Sequence, residues 1–310
     1  MTVLPIATMS KALWAAAGPA AATRPGTTAP SERPFFDAPA VTLLALGVCV
    51  LVGWTAFRLA RPRKFLLRRV PARRNEVSVL HAAAVFLAYL LATSLVYSGL
   101  SGLLGVEAPD APGWVTLVAG AFGQLLLIAG SLAVAELTFA RGLRRGLGLT
   151  VRRFGWDAGR AVIGFLALLP VVLALSVLSA MVMESLRREW VRTHPVLVLL
   201  LTGEASPALK AGAIFGAVVM AAAAEEIFYR GLLQSMLKRY LGGRAWPALL
   251  IASAAFAASH LNQPQAVPAL FVLALGLGYN YERTGRLTAP ILMHAIFNAA
   301  MIWAALSAGG

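Results

Sequence analysis

Charge is what this chain lacks most: Asp, Glu, Lys and Arg make up 13% of its 310 residues, about half the ~25% usual in a soluble globular domain. So thin a charged surface excludes an ordinary cytosolic globule. It equally excludes an intrinsically disordered chain, which combines high charge with low hydrophobicity. Cysteine is nearly absent. The single Cys49 cannot close an internal disulfide, which excludes a disulfide-stapled secreted domain; set inside an apolar run, it reads as a small buried hydrophobe. Acids are scarce beside bases, 13 against 27, for a formal net charge of +14. On a soluble chain that imbalance would point to nucleic acid. Here the basic residues sit in short clusters between apolar blocks, the pattern of cytoplasmic loops, so no nucleic-acid partner is expected.

What is abundant is apolar residue, 59% of the chain with a mean hydropathy of +0.76. It falls in blocks close to the ~20 residues a membrane-crossing helix needs. Residues 1–38 stand apart. They are rich in Ala, Pro and Thr, broken by Pro19, Pro25, Pro30 and Pro34, and read as a flexible tail. Eight apolar segments follow, near 39–57, 77–104, 114–138, 159–183, 211–237, 246–261, 267–281 and 287–307. The odd-numbered loops between them are the strongly basic ones. Loop one carries Arg58, Arg61, Arg63, Lys64, Arg68, Arg69, Arg73 and Arg74; loop three carries Arg141, Arg144, Arg145, Arg152 and Arg153; loop five carries Lys238, Arg239 and Arg244. The expectation is an all-α, multi-pass bundle of about eight transmembrane helices in the cell membrane, with both termini outside. N-terminal helices over 39–206 would be followed by a core at 207–310. The pairs Gly120/Gly123 and Gly212/Gly216 mark helix faces where backbones can approach.

The informative residues are those whose chemistry does not suit their depth. Segment five runs apolar to Ala224 and then reads Glu225-Glu226-Ile-Phe-Tyr229-Arg230. A charged group at a bilayer centre costs about 2.5–3.5 kcal/mol on insertion scales, so these groups must be paired, solvated or functional. Glu226 and Arg230 stand at i,i+4 and can neutralise one another. Glu225 points about 100° away, has no base at i+3 or i+4, and is the carboxylate free to act on something else. Segment six carries Phe256-Ala-Ala-Ser-His260 near its end, and segment eight carries His294-Ala-Ile-Phe-Asn298, whose two polar residues share one helical face. At 1.5 Å per residue, Glu225, His260, His294 and Asn298 lie about 20, 24, 12 and 18 Å above the nearest basic loop residues. Three helices thus deliver a carboxylate, two imidazoles and an amide to one level near mid-membrane, which points to an enclosed reaction centre.

These motifs resemble the signature of the CPBP family of intramembrane proteases, also called the type II CAAX prenyl protease or Abi family, which includes the Ras-converting enzyme. Its pattern is a Glu-Glu pair with Arg four residues after the second Glu, then Phe-x-x-x-His, then His-x-x-x-Asn, and the similarity covers roughly 207–300. The resemblance implies an endopeptidase acting on a membrane-associated protein or peptide, in contact with membrane lipid. It makes Glu225 the general base, His260 its partner in holding water, His294 and Asn298 the donors to the oxyanion, and Glu226 with Arg230 the support. No cofactor is required on that reading. The alternative is zinc held by Glu225, His260 and His294, since members have also been described as metalloproteases. Two other classes compete: a non-catalytic scaffold or immunity protein of the same fold, and an ion-coupled transporter, which would string polar residues along a pathway. The main further polar residues in the spans are Gln124 and Glu136, and Glu136 reads as an interfacial carboxylate beside Arg141.

Overall fold

The computed structural model of the protein describes residues 38–60, 67, 73–107, 111–186, 195–201 and 205–309. The tail read at 1–38 lies outside them, apart from Ala38. All eight apolar segments are helices: α1 (Ala38–Ala60), α2 (Val79–Leu103), α3 (Gly113–Thr138), α4 (Phe154–Leu186), α6 (Pro207–Tyr240), α7 (Ala245–Ala258), α8 (Val267–Thr284) and α9 (Thr288–Gly309). A short helix not expected from the sequence, α5 (Pro195–Leu201), lies between α4 and α6. Among the described residues five helices, α2, α3, α4, α6 and α9, are long and apolar enough to cross a membrane. The protein is therefore an all-α, multi-pass membrane protein, with no strand element among the described residues.

Helix boundaries follow local chemistry. Ser78 caps α2 by accepting from the His81 N–H, while His81 Nδ1 accepts from the Ser78 N–H, a reciprocal cap. Pro268 opens α8 and Gly285, at φ 67°, closes it, as expected for a left-handed residue after a helix end. Glu136 accepts the Leu143 N–H at 3.2 Å and so fastens a single π-helical turn, Gly142–Leu147, to the end of α3.

The helix α6 is the hub, touching α2, α3, α7, α8 and α9, while α1 packs on α4 and α4 lies against α8 and α9. The packed interior around α6 includes Phe228, Tyr229, Phe256, Tyr281 and Leu287. Apolar side chains also cover the outside: Leu80, Leu95, Leu103 and Leu137 are exposed, a pattern that lipid satisfies and water does not. Cys49 is on that outside too, not buried as the sequence suggests. Its apolar run faces outward, alongside exposed Leu46, Val52 and Trp54.

The small-residue pairs divide unequally. A Cβ on Gly123 would fall on Thr93 Oγ1 and lie 3.1 Å from the Tyr89 ring, whereas Gly120, Gly212 and Gly216 open onto free space. Gly123→Val is expected to destabilise the solubilised protein by about 1–3 kcal/mol, and Gly120→Val to be near neutral. Unfolding in mixed detergent micelles distinguishes the two.

Candidate active site

Two carboxylates leave α6 side by side at the point where its geometry changes. Between Gly216 and Met220, and again over Glu226–Gln234, α6 is π-wound, a form frequent at functional sites. The Ala221 N–H passes over the Ala217 carbonyl and bonds Gly216 instead. The Ala217 carbonyl accepts from Asn298 Nδ2 at 2.8 Å, which ties α9 to α6. One N–H of the Asn298 amide remains after that bond, since a carboxamide nitrogen carries two.

One turn earlier on α9, His294 is buried between the two acids. Its Nδ1 lies 3.0 Å from Glu226 Oε1, and its Nε2 lies 3.8 Å from Glu225 Oε2. Glu226 also faces Arg230, with Nη1 at 3.2 Å and both side chains essentially inaccessible. The i,i+4 pairing read from the sequence is thus present, although the π-wound segment leaves Arg230 Nη1 and Glu226 Oε2 without an aligned hydrogen bond. Arg230 Nη2 donates to the Ala274 carbonyl at 3.2 Å, and its guanidinium lies over the Phe256 ring at 4.8 Å, a cation–π contact. Glu225 is the exception in this cluster: its side chain keeps 24% exposure while Glu226 keeps none.

His260 is placed differently from expectation. The helix α7 ends at Ala258, so His260 sits in the turn beyond it. Ser259 Oγ donates to the Phe256 carbonyl at 2.7 Å, and His260 Nδ1 lies 3.0 Å from the same oxygen. Side chains that bond back to the last turn compete with helix continuation. With Nδ1 donating there, Nε2 is left as an acceptor. The two imidazoles flank one phenyl ring, His260 at 5.0 Å and His294 at 5.8 Å from the Phe256 centroid. Phe256 is therefore the shared wall of the site, and Tyr229 meets it edge-on at 5.3 Å.

Below this cluster lies a second buried network that the sequence does not reveal. Lys238 and Glu282, which read as loop charges, form a buried ion pair at 2.6 Å, and Gln234 donates to Glu282 at 3.1 Å and to the Gly278 carbonyl at 3.2 Å. These residues lock α6 to α8. Their separation of 44 to 48 residues hides the pairing from any local reading.

A zinc ion would need three protein donors converging on one point and one position open. Among the described residues no three His, Cys, Asp or Glu side chains form such a group. Glu225, His260 and His294 therefore do not fit a zinc site in this arrangement.

Residues 207–300, the span from the start of α6 to the middle of α9, match the family described as Type II CAAX prenyl endopeptidase Rce1-like. Glu225, Glu226, Arg230, His260, His294 and Asn298 all fall within it. No curated protein and no solved structure matches the chain.

Proposed function

We propose, starting from the Rce1-like character of residues 207–300, that the chain is an intramembrane endopeptidase hydrolysing a peptide bond of a membrane-associated protein or peptide. The observation that carries the proposal is the His294 bridge between a sealed carboxylate, Glu226, and a half-open one, Glu225.

Each group then has a distinct task. Glu225 takes a proton from water, whose oxygen forms the new bond to the scissile carbonyl carbon. A separation of 3.8 Å between Glu225 and His294 is too long for a direct hydrogen bond and close enough for one small oxygen-bearing group to touch both. The carbonyl's π electrons move onto its oxygen, where His294 Nε2–H and the spare Asn298 N–H donate. Preorganised donors of this kind, held away from bulk water, are among the strongest contributions to acyl-transfer catalysis. Glu226 holds the imidazole from behind through Nδ1, and Arg230 stands beside Glu226 at 3.2 Å. His260, with Nδ1 on the Phe256 carbonyl, supports the water through Nε2. Collapse of the tetrahedral species breaks the C–N bond, and Glu225 returns the proton to the leaving amine.

The decisive experiment compares the termini of membrane proteins in cells carrying the natural chain and cells carrying Glu225→Gln. The expected outcome is a small set of new C-termini present only with the natural chain; identical termini at equal protein abundance would exclude a protease. Cofactor dependence has its own test. Exhaustive chelation of the purified protein is expected to leave cleavage unchanged, and a loss restored by zinc would reverse the metal-free reading.

A further inference from the structure

On the basic-loop side, the turn between α3 and α4 and the start of α9 enclose a cleft that the proposed chemistry does not use. It holds about 490 Å³ and is lined by Arg144, Arg145, Thr150, Arg152, Arg153 and Arg286. Among the described residues no carboxylate lines it. The nearby acid, Asp157, is buried and bonded to Arg286, whose Nε donates at 2.7 Å. The other four guanidiniums are on exposed residues and make no ion pair among the described residues. Like charges crowded in this way repel one another, and a bound anion relieves the repulsion.

The frame of the cleft is fixed rather than loose. Thr288 Oγ1 donates to the Thr150 carbonyl at 2.6 Å, the Leu287 N–H to Gly148 at 3.0 Å, and the Tyr281 hydroxyl to Leu147 at 2.9 Å. The residues that adjoin Arg152 and Arg153 in the chain form a rim of the opposite character. Val151, Phe154 and Trp156 are 72%, 52% and 65% exposed, interleaved with the arginines where α4 begins. Tryptophan at a helix end marks the membrane–water interface, and basic pockets between transmembrane helices at that level bind anionic head groups.

We infer that this cleft binds the phosphate head group of an anionic phospholipid, whose acyl chains lie along the Val151–Phe154–Trp156 rim. The arginines supply the affinity for phosphate, and bidentate guanidinium geometry suits its oxygens. The apolar rim selects the lipid over a free phosphate ion, which would gain nothing from it.

The test is lipid binding to the full-length protein in neutral detergent, counted by native mass spectrometry during titration with phosphatidylglycerol or with phosphatidylcholine of the same chains. One phosphatidylglycerol is expected to bind in preference. Arg152→Gln with Arg153→Gln should weaken it about thirtyfold, at one surface arginine's attraction each. Arg144→Gln with Arg145→Gln, on the facing wall, should do the same, which guards against a local folding defect in either variant. Arg141→Gln with Arg244→Gln removes the same charge outside the cleft and should change binding less than threefold. Equal weakening by all three pairs would overturn the site in favour of diffuse surface attraction. Displacement of the lipid by inorganic phosphate at comparable concentration would overturn the lipid assignment.

Discussion

Glu225→Gln is expected to slow peptide cleavage by roughly 10²–10⁴-fold, the contribution of a positioned general base, with the fold intact. The replacement keeps the shape of the side chain and removes its charge and its capacity to take a proton. Glu225 lies at the partly exposed edge of the cluster, 3.8 Å from His294, so little packing depends on its charge. Glu226→Gln should behave differently. It weakens the attraction that holds Arg230 and His294, lowering the unfolding midpoint and reducing the rate less completely. Cleavage in reconstituted vesicles, read together with thermal unfolding, separates the two carboxylates. Equal, mild effects would contradict the division of labour.

Arg230→Met is expected to destabilise the protein by about 3–5 kcal/mol, the usual consequence of leaving one member of a buried ion pair behind. Glu226 and Arg230 are 0% and 1% exposed, so solvent cannot screen the remaining carboxylate. The double substitution Glu226→Gln with Arg230→Met should recover most of that loss, because a neutral pair of similar volume leaves no uncompensated charge buried. Recovery of stability without recovery of rate is the expected signature, since His294 would still lack the carboxylate at its Nδ1. Detergent-solubilised unfolding and vesicle cleavage measure the two quantities independently. Full activity in the double variant would mean that Glu226 serves only to balance Arg230.

Much of this arrangement is legible in the residues because it is either periodic or costly. Apolar blocks locate the helices, and three ionisable groups within six positions at membrane depth draw attention to Glu225, Glu226 and Arg230. The i,i+4 spacing alone predicts which acid is neutralised. What the sequence hides is interhelical. His294 meets Glu226 across 68 residues, and no local rule distinguishes that contact from one with Glu225. Asn298 finds Ala217 where α6 is π-wound, a winding that patterns based on 3.6 residues per turn do not anticipate. Lys238 and Glu282 look like loop charges because their partners lie on different helices. His260 looks helical until Ser259 and its own ring turn back onto the Phe256 carbonyl.

The central claim is that Glu225 and His294 act on the same substrate carbonyl as one unit, and a double-substitution rate cycle tests it most directly. Cleavage of one substrate is measured for Glu225→Gln, His294→Gln and the pair combined, in the same vesicles. Residues that operate together are strongly non-additive, so the combined variant should be no slower than Glu225→Gln alone. Losses that multiply, or a single variant that cleaves at the natural rate, would contradict the account.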